Sequence, residues 1–267
     1  MKEQENTERK RYWNEDYVNY WKARVEEANN HQIQSSNMVS GDSKTSTDQF
    51  YFDAIRLLNV TSTDKVLELA CGFGRSLNSL CQIALDVAAV DISEQMIDMA
   101  MRTCQEKNIS FHVAPSENLP FVKESFDVII CFAAFDAMYQ TEALIEINRV
   151  CKKGARVLLT GKNDNYYDDD KAALAAEIGA RSKNHPNYFT DVKLLVREIK
   201  KFGFCVSVQK YYLRRGDVAA GRACEEMPEK FYEYLFVLNK ITDNKVSEDL
   251  MISDKMSKTF ARQNSLS

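Results

Sequence analysis

From Lys65 onward the sequence alternates between short apolar segments and segments with helical spacing, and this alternation constrains the fold more than any other feature. Strands separated by helices run parallel with right-handed crossovers, so the pattern predicts an α/β, doubly wound sheet. Two aromatic-rich segments, 202–213 and 231–241, predict an antiparallel end to a mostly parallel, seven-stranded sheet. The earlier strands are predicted at 65–70, 86–91, 109–114, 125–132 and 154–161, with helices at 74–84, 93–107 and 141–151.

The segments on either side of this alternating part have a different composition. Residues 1–48 combine an aromatic-rich helix with a Ser- and Thr-rich loop, which we interpret as a helical cap and a mobile lid loop. One domain is expected to span 49–241, and 162–190 form a cap insertion after the fifth strand. Residues 242–267 are polar and are predicted to be a disordered tail.

Charge and cysteine content narrow the class of protein and the kind of partner. The net charge of -4 argues against binding to nucleic acid or to anionic membrane, so a small-molecule partner is favoured. The chain has no long apolar run and starts with a charged segment, so we expect a cytoplasmic protein, either a monomer or a homodimer. The seven cysteines form no CxxC pair and the three histidines are isolated, which predicts reduced thiols and no metal site.

The segment VLELACGFGRS joins an apolar strand to a turn with two glycines, Gly72 and Gly74. Glycines permit a sharp turn and the close approach of a ligand, and the following helix directs N–H groups toward it. Such a turn alone also fits a dinucleotide site or a purely structural turn. Asp91 ends the next strand, where a carboxylate can accept hydrogen bonds from ribose hydroxyls, or can cap the helix near Ser93.

Four segments in this order, ELACGFGRS, VDISEQMIDMA, SENLPFVKESFDVIICF and EINRVCKKGARVLLTG, resemble the class I S-adenosylmethionine-dependent methyltransferases. The resemblance covers about 65–161 and implies a Rossmann-like fold that binds S-adenosyl-L-methionine and releases S-adenosyl-L-homocysteine. Two positions depart from the family pattern: Ala70 replaces the first glycine, and Pro115 stands where an adenine-binding aspartate is common. The residues that the resemblance assigns to the cofactor are Glu68, Ala70, Cys71, Gly72, Gly74, Asp91, Ile92, Met96, Ser116, Glu117, Asn118, Cys131, Phe132 and Ala133.

Methyl transfer to a hydroxyl requires a base, whereas an amine or a carboxylate can react without one. The candidates for this base lie in loops at the carboxyl edge of the sheet: His185, Asp136 and Tyr139. The residues predicted to cover the site or to hold the acceptor are Tyr12, Trp13, Tyr17, Tyr20, Tyr166, Tyr167, Arg214 and Arg215. His31 is a further candidate lid contact, and we interpret Asp168 to Asp170 as a solvated helix start rather than as metal ligands.

These residues predict an enzyme that methylates a small molecule, most simply the oxygen of a hydroxyl, with a sugar or sugar nucleotide as one hypothesis for the acceptor. An N-methyltransferase acting on a small amine and a catalytically silent S-adenosylmethionine-binding partner subunit are the alternatives. RNA or protein as the acceptor is disfavoured by the acidic net charge and by FAAF in place of an NPPY-like segment after the fourth strand.

Overall fold

The computed structural model describes residues 2–19, 48–105, 108–247 and 249–265. Seven strands form one sheet: β1 (Lys65–Leu69), β2 (Asp86–Asp91), β3 (Ile109–Val113), β4 (Phe126–Cys131), β5 (Cys151–Lys162), β7 (Phe204–Tyr212) and β8 (Glu233–Lys240). Their order in the sheet is β3-β2-β1-β4-β5-β8-β7, in which β1 to β5 are parallel and β8 is antiparallel to both β5 and β7. The predicted α/β architecture, including its antiparallel end, is therefore confirmed.

Helices cover both faces of the sheet, and two two-residue strands, β6 (Phe189–Thr190) and β9 (Ser253–Asp254), pair outside it. The helices are α1 (Lys2–Arg11), α2 (Asp48–Arg56), α3 (Leu77–Cys81), α4 (Glu94–Thr103), α5 (Gln140–Val150), α6 (Lys171–Ser182), α7 (Val192–Glu198) and α8 (Lys258–Asn264). A π-helical turn, Tyr12–Asp16, continues directly from α1. Among the described residues, no helix is long and apolar enough to cross a membrane.

The central strands β1 and β4 separate two hydrophobic cores because successive side chains point to opposite faces of a strand. Leu67 and Leu69 pack in one core with Ile129, whereas Val66 and Val128 pack in the other. This burial on both faces explains why these strands are almost continuously apolar in sequence. It also leaves the carboxyl ends of the strands as the edge where polar side chains gather.

Side-chain capping explains where several helices begin. The Ser93 hydroxyl accepts a hydrogen bond from Met96 N at the start of α4, and Asp191 does the same for Leu194 N at the start of α7. The helix predicted from residue 74 begins only at Leu77, because Gly74 has a φ of +85° and cannot continue a right-handed helix.

The segment after residue 241 differs from the predicted disordered tail. Ile252 is buried in the main core, and Ser253–Asp254 pair with Phe189–Thr190. The hydroxyl of Thr259 in α8 donates a hydrogen bond of 2.7 Å to the carbonyl of Tyr166. A few apolar and hydroxyl residues therefore hold this segment against residues 162–190. The polar composition of the segment gave no sign of this packing. The predicted lid loop, including Tyr20 and His31, lies outside the described residues.

Candidate active site

A cavity of about 250 Å³ lies at the carboxyl ends of β1, β2 and β4, and we call it the β1–β4 cavity. This is the edge at which open α/β sheets bind ligands. Most of the residues predicted for the cofactor line it: Glu68, Ala70, Cys71, Gly72, Asp91, Ile92, Met96, Ser116, Glu117, Phe132 and Ala133. The fold therefore brings together side chains that are up to 65 positions apart in the sequence, from Glu68 to Ala133.

The carboxylate of Asp91 joins the first two strand ends. Its Oδ2 accepts a hydrogen bond of 3.0 Å from Gly72 N, and its Oδ1 accepts one of 2.9 Å from Ser93 N. Burial raises the pKa of Asp91, and these backbone donors oppose that shift. Each carboxylate oxygen keeps lone pairs for further donors, so the two hydroxyls of a ribose can still bind here.

The two glycines of the turn have different surroundings. A Cβ on Gly72, whose φ is +54°, would meet no atom within 4 Å, so this glycine leaves space on the side of the cavity. A Cβ on Gly74 would lie 3.0 Å from Cys104 Sγ, and Gly74 does not line the cavity. Ala70, which replaces the family's first glycine, has a φ of +51° and accepts the left-handed conformation that glycine adopts more easily. Gly72 is thus the ligand-facing glycine, and Gly74 is the packing glycine.

Glu68 places a buried carboxylate beside this turn. The Ser76 hydroxyl donates a hydrogen bond to its Oε1, while Oε2 is buried and has no hydrogen-bond partner among the described residues. Burial raises the pKa of Glu68 to about 7. A buried acceptor without a donor is costly, so this oxygen fits a cationic ligand group such as an ammonium or a sulfonium. Glu68 and Asp91 therefore bring two buried carboxylates to the same side of the cavity as the Gly72 turn.

Residues 7–19 cover the cavity, and we call them the N-terminal cover. Trp13 and Tyr17, two of the predicted lid residues, line the cavity, while Asn14 Oδ1 accepts hydrogen bonds from Ser93 Oγ and Gln95 N. Arg9 is only 5% exposed and also lines the cavity. The N-terminal cover is therefore attached to the start of α4, beside Asp91.

Three predicted cofactor residues do not line the cavity. Gly74 packs beneath the turn, Asn118 is exposed, and Cys131 is fully buried in the main core with its sulfur 3.9 Å from Met138 Sδ. Cys131 points away because side chains alternate along β4, so Phe132 at the following position faces the cavity instead. Pro115 does line it, and neighbouring Ser116 is the hydroxyl residue at this side.

A second cavity, of about 210 Å³, lies beyond Phe132 and Ala133 at the ends of β5 and β8, and we call it the β5–β8 cavity. Phe132 and Ala133 line both cavities, so the two are neighbours across one turn. The Thr160 hydroxyl accepts a hydrogen bond of 2.7 Å from Ala133 N and fixes this turn, in which Ala133 has a φ of +51°. The other residues that line the β5–β8 cavity are Phe50, Asp136, Gly161, Lys162, Ala176, Tyr212, Arg215, Val218, Tyr232, Glu233 and Tyr234.

The predicted bases occupy different places. Asp136 lines the β5–β8 cavity and is bound by Lys162 Nζ at 2.5 Å. His185 and Tyr139 line neither cavity and instead lie in a polar cleft, where the Tyr12 hydroxyl is 2.6 Å from His185 Nδ1. Burial lowers the pKa of His185 to about 4, with Lys162 as a further cause, so its imidazole is neutral at neutral pH. The structure therefore gives His185 a packing position beneath the N-terminal cover, outside both cavities.

The predicted acceptor residues are also divided. Tyr166 is fully buried and donates a hydrogen bond to Glu177 Oε2, so it is not at the site. The Arg214 guanidinium lies 4.8 Å from the Tyr167 ring and pairs with Asp169, outside both cavities. Arg215 is the predicted acceptor residue of this group that lines the β5–β8 cavity. The three acidic residues Asp168–Asp170 have separate partners. Asp168 pairs with Lys230 and Arg262, and Asp169 pairs with Arg214. Asp170 accepts hydrogen bonds from the backbone N–H groups of Ala173 and Arg215.

Sequence reasoning missed a large part of the lining of the two cavities, and its charged residues and Tyr51 illustrate why. Arg9 and Arg75 were hidden in polar segments, Tyr51 was assigned only to a helix, and Lys162 and Glu233 were the charged ends of strands. The Arg75 guanidinium lies 4.3 Å from the centroid of the Tyr51 ring, which stacks on Phe132 at 3.8 Å. A charge at the end of an apolar strand was the one signal that pointed to Lys162 and Glu233.

Residues 67–159 match the family described as methyltransferase domain. The chain is 30% identical over 120 residues to the uncharacterized methyltransferase YcgJ of Bacillus subtilis, which covers 43% of this chain and 46% of that protein. It is 27% identical over 121 residues to the ubiquinone/menaquinone biosynthesis C-methyltransferase UbiE of Geotalea daltonii, covering 40% of this chain and 48% of that protein. The chain thus spans less than half the length of these curated relatives.

Among solved structures, the fold is similar to that of an S-adenosylmethionine-dependent methyltransferase from Mesorhizobium loti, with a TM-score of 0.57 and 15% identity. The similarity covers 71% of this chain and 97% of that chain. The sheet order, the glycine turn and the family match agree on one class. Residues 67–159 form a methyltransferase domain of the class I, S-adenosylmethionine-dependent family.

Proposed function

We propose that the protein is an S-adenosylmethionine-dependent methyltransferase acting on a small molecule. The observation that carries this proposal is the convergence of Glu68, Gly72 and Asp91 on one cavity at the carboxyl ends of adjacent parallel strands. A nucleoside ligand with a positively charged tail has matching groups for all three.

The role proposed for each residue follows from its position. Asp91 would accept the ribose hydroxyls, and Ile92 and Met96 would pack on the adenine ring beside Ser116. Glu68 would pair with the cationic end of the ligand near Gly72. When bound, S-adenosylmethionine supplies an electrophilic methyl group on a sulfonium. The protein's contribution is to exclude water with the N-terminal cover and to hold the acceptor in line, an advantage that reaches about 7–11 kcal/mol in well-oriented systems.

We propose oxygen as the methylated atom. The β5–β8 cavity supports this choice, because the carboxylate of Glu233 lines it together with Phe132 and Ala133, the two residues that it shares with the β1–β4 cavity. A second candidate is methylation of a ring carbon next to a hydroxyl, since one relative is named a C-methyltransferase. Both reactions begin by removing a hydroxyl proton, and mass spectrometry of the product distinguishes them.

Calorimetric titration with S-adenosylhomocysteine tests the donor site. We expect one binding site per chain and a 10- to 100-fold loss of affinity in Asp91→Ala, since hydrogen bonds to a charged group are worth about 1.5–3 kcal/mol. Asp98→Ala is the matched control, because Asp98 is an exposed residue on α4. If the wild type does not bind the ligand, or if both variants bind equally well, the proposal fails.

A further inference from the structure

Aromatic rings line several sides of the β5–β8 cavity, between polar and charged side chains. Phe50 and Phe132 lie edge to face at 5.5 Å, and Phe50 also contacts the Tyr212 ring at 5.9 Å. Tyr232 and Tyr234 complete the walls, and a Cβ on Gly161 would lie 2.5 Å from the Tyr234 hydroxyl. Flat rings on several sides favour a planar aromatic ligand.

Glu233 contributes a carboxylate oxygen to this cavity. Its Oε2 is buried and has no hydrogen-bond partner among the described residues. Glu233 is directly opposite Lys162 in the β5–β8 pairing and opposite Tyr212 in the β7–β8 pairing. The carboxylate therefore sits between two neighbouring strand ends, within reach of whatever fills the cavity.

The other carboxylate of the cavity is already engaged. Lys162 Nζ donates hydrogen bonds to Asp136 Oδ2 and, at 3.0 Å, to Asn187 Oδ1. The Tyr234 hydroxyl lies 2.8 Å from Thr190 Oγ1, and burial raises the pKa of Tyr232 to about 12. Asp136 is thus held by a cation, and the tyrosines stay protonated. Glu233 is the carboxylate whose oxygen still lacks a donor.

We propose that the β5–β8 cavity binds a small aromatic hydroxyl compound as the methyl acceptor and that Glu233 accepts the proton of its hydroxyl. This assignment rests on the proposed function, whose donor site lies across Phe132 and Ala133. In the step, the O–H bond of the acceptor breaks, its electron pair stays on the acceptor oxygen, and the proton forms a bond to Glu233 Oε2. Solvent later receives this proton. Lys162 and Arg215 supply positive charge near the oxygen as it becomes anionic.

A comparison of pKa values between Glu233 and possible acceptors favours an aromatic hydroxyl over an aliphatic one. Burial raises the pKa of Glu233 to about 7; Asp136 adds to this rise, and Lys162 and Arg215 oppose it. A phenolic hydroxyl has a pKa of about 10, so its proton transfer to such a carboxylate is unfavourable by roughly 10³-fold. A hydroxyl with an acidity near that of water, with a pKa of about 15.7, would be disfavoured by several further powers of ten. Together with the aromatic rings that line the cavity, this difference favours a phenol over a sugar.

Binding is tested first, without turnover. We expect the protein saturated with S-adenosylhomocysteine to bind phenol and 4-nitrophenol in calorimetry, and Ala176→Phe to abolish this binding by filling the cavity from α6. Ala175→Phe, at an exposed neighbouring position, is the matched control. Both variants should bind S-adenosylhomocysteine like the wild type. Failure of the wild type to bind either phenol, with intact S-adenosylhomocysteine binding, overturns the acceptor class while leaving the donor site in place.

Proton acceptance by Glu233 is tested with two acceptors of different acidity. We expect Glu233→Gln to lower methylation of phenol by about 10²–10⁴-fold, the usual contribution of a general base. Methylation of 4-nitrophenol, which ionises without help near neutral pH, should fall less than 10-fold in the same variant. An equal loss for both acceptors would show that Glu233 only positions the ligand, and an unchanged rate for phenol would show that it has no role; either result overturns the proposal.

Discussion

The guanidinium of Arg9 donates two hydrogen bonds of 2.7 Å to the carboxylate of Glu117, across 108 positions of sequence. Glu117 Oε1 also accepts a hydrogen bond from Tyr139 N, and the Arg9 guanidinium lies 4.3 Å from the centroid of the Tyr139 ring. One buried pair therefore joins the N-terminal cover to the loops after β3 and β4. These are the loops that border the β1–β4 cavity.

Removing Arg9 should loosen this attachment. We expect Arg9→Ala to lower the free energy of unfolding by about 2–4 kcal/mol, because a largely buried carboxylate loses its cation. S-adenosylhomocysteine should also dissociate faster from the variant, since Arg9 and the neighbouring Trp13 line the cavity. Urea denaturation and stopped-flow displacement measure the two effects.

Lys10→Ala is the matched control for this variant, because the Lys10–Glu94 pair is exposed, at 48% and 64% for its two side chains. Exposed pairs are worth about 0–1 kcal/mol. Similar losses of stability in the two variants would contradict the structural role of Arg9.

Alanine at the two turn glycines should separate ligand binding from packing. Gly72→Ala places a methyl group toward the β1–β4 cavity in a left-handed conformation, so we expect a stability loss of about 1–2 kcal/mol and at least 10-fold weaker binding of S-adenosylhomocysteine. Gly74→Ala presses on Cys104 and Leu77, which should cost roughly 1–3 kcal/mol more in stability. Its ligand affinity, measured below the unfolding temperature, should stay within threefold of the wild type. The reverse order of affinities would show that the glycine roles are exchanged.

The raised pKa of Glu68 should appear in the pH dependence of stability. The folded protein binds this proton more tightly than the unfolded chain, so stability is unaffected below the ordinary pKa of about 4.5 and falls as the pH rises to about 7. Between pH 4.5 and 8, the free energy of unfolding of the wild type should therefore fall by about 3 kcal/mol relative to that of Glu68→Gln. Urea denaturation at several pH values gives this difference, and Glu94→Gln, at an exposed position, is the control. A difference that does not vary with pH would contradict burial of the carboxylate.

His185 should produce the opposite dependence. The pKa of His185 falls to about 4 on folding. The neutral ring therefore makes its full contribution to the free energy of unfolding above the ordinary pKa of 6.5, and this contribution is lost as the pH falls from 6.5 to 4. Over that range the wild type should lose about 3 kcal/mol relative to His185→Asn. The matched control is His112→Asn, where burial lowers the pKa of a more exposed ring and a smaller change is expected. A wild type that gains stability relative to His185→Asn on acidification would contradict the buried, neutral imidazole.

Local sequence patterns were sufficient to predict the strands, the Ser93 cap and most of the residues that line one side of the β1–β4 cavity. Apolar periodicity determines which segments become buried strands, and their carboxyl ends must meet at one edge. Asp91 and Gly72 could therefore be placed together from sequence alone, and their hydrogen bond bears out that placement.

Contacts between distant segments could not be predicted in this way. The Arg9–Glu117 pair joins an otherwise polar helix to a loop, and the burial of Ile252 depends on the pairing of β6 with β9. Glu233 depends on the register of β8 against β5, which no local pattern specifies. Sequence reasoning thus missed residues whose position depends on packing between distant segments.

The hydrogen bond between Ala133 N and Thr160 Oγ1 holds the turn that separates the two cavities. Because this turn is a wall of both, the Thr160 hydroxyl fixes the spacing between whatever occupies the two cavities. Under the proposed function, substitutions elsewhere in the β5–β8 cavity would change which acceptor enters, while the reacting atoms keep their separation. The Thr160 hydroxyl would then act as a fixed spacer between a constant donor and an exchangeable acceptor.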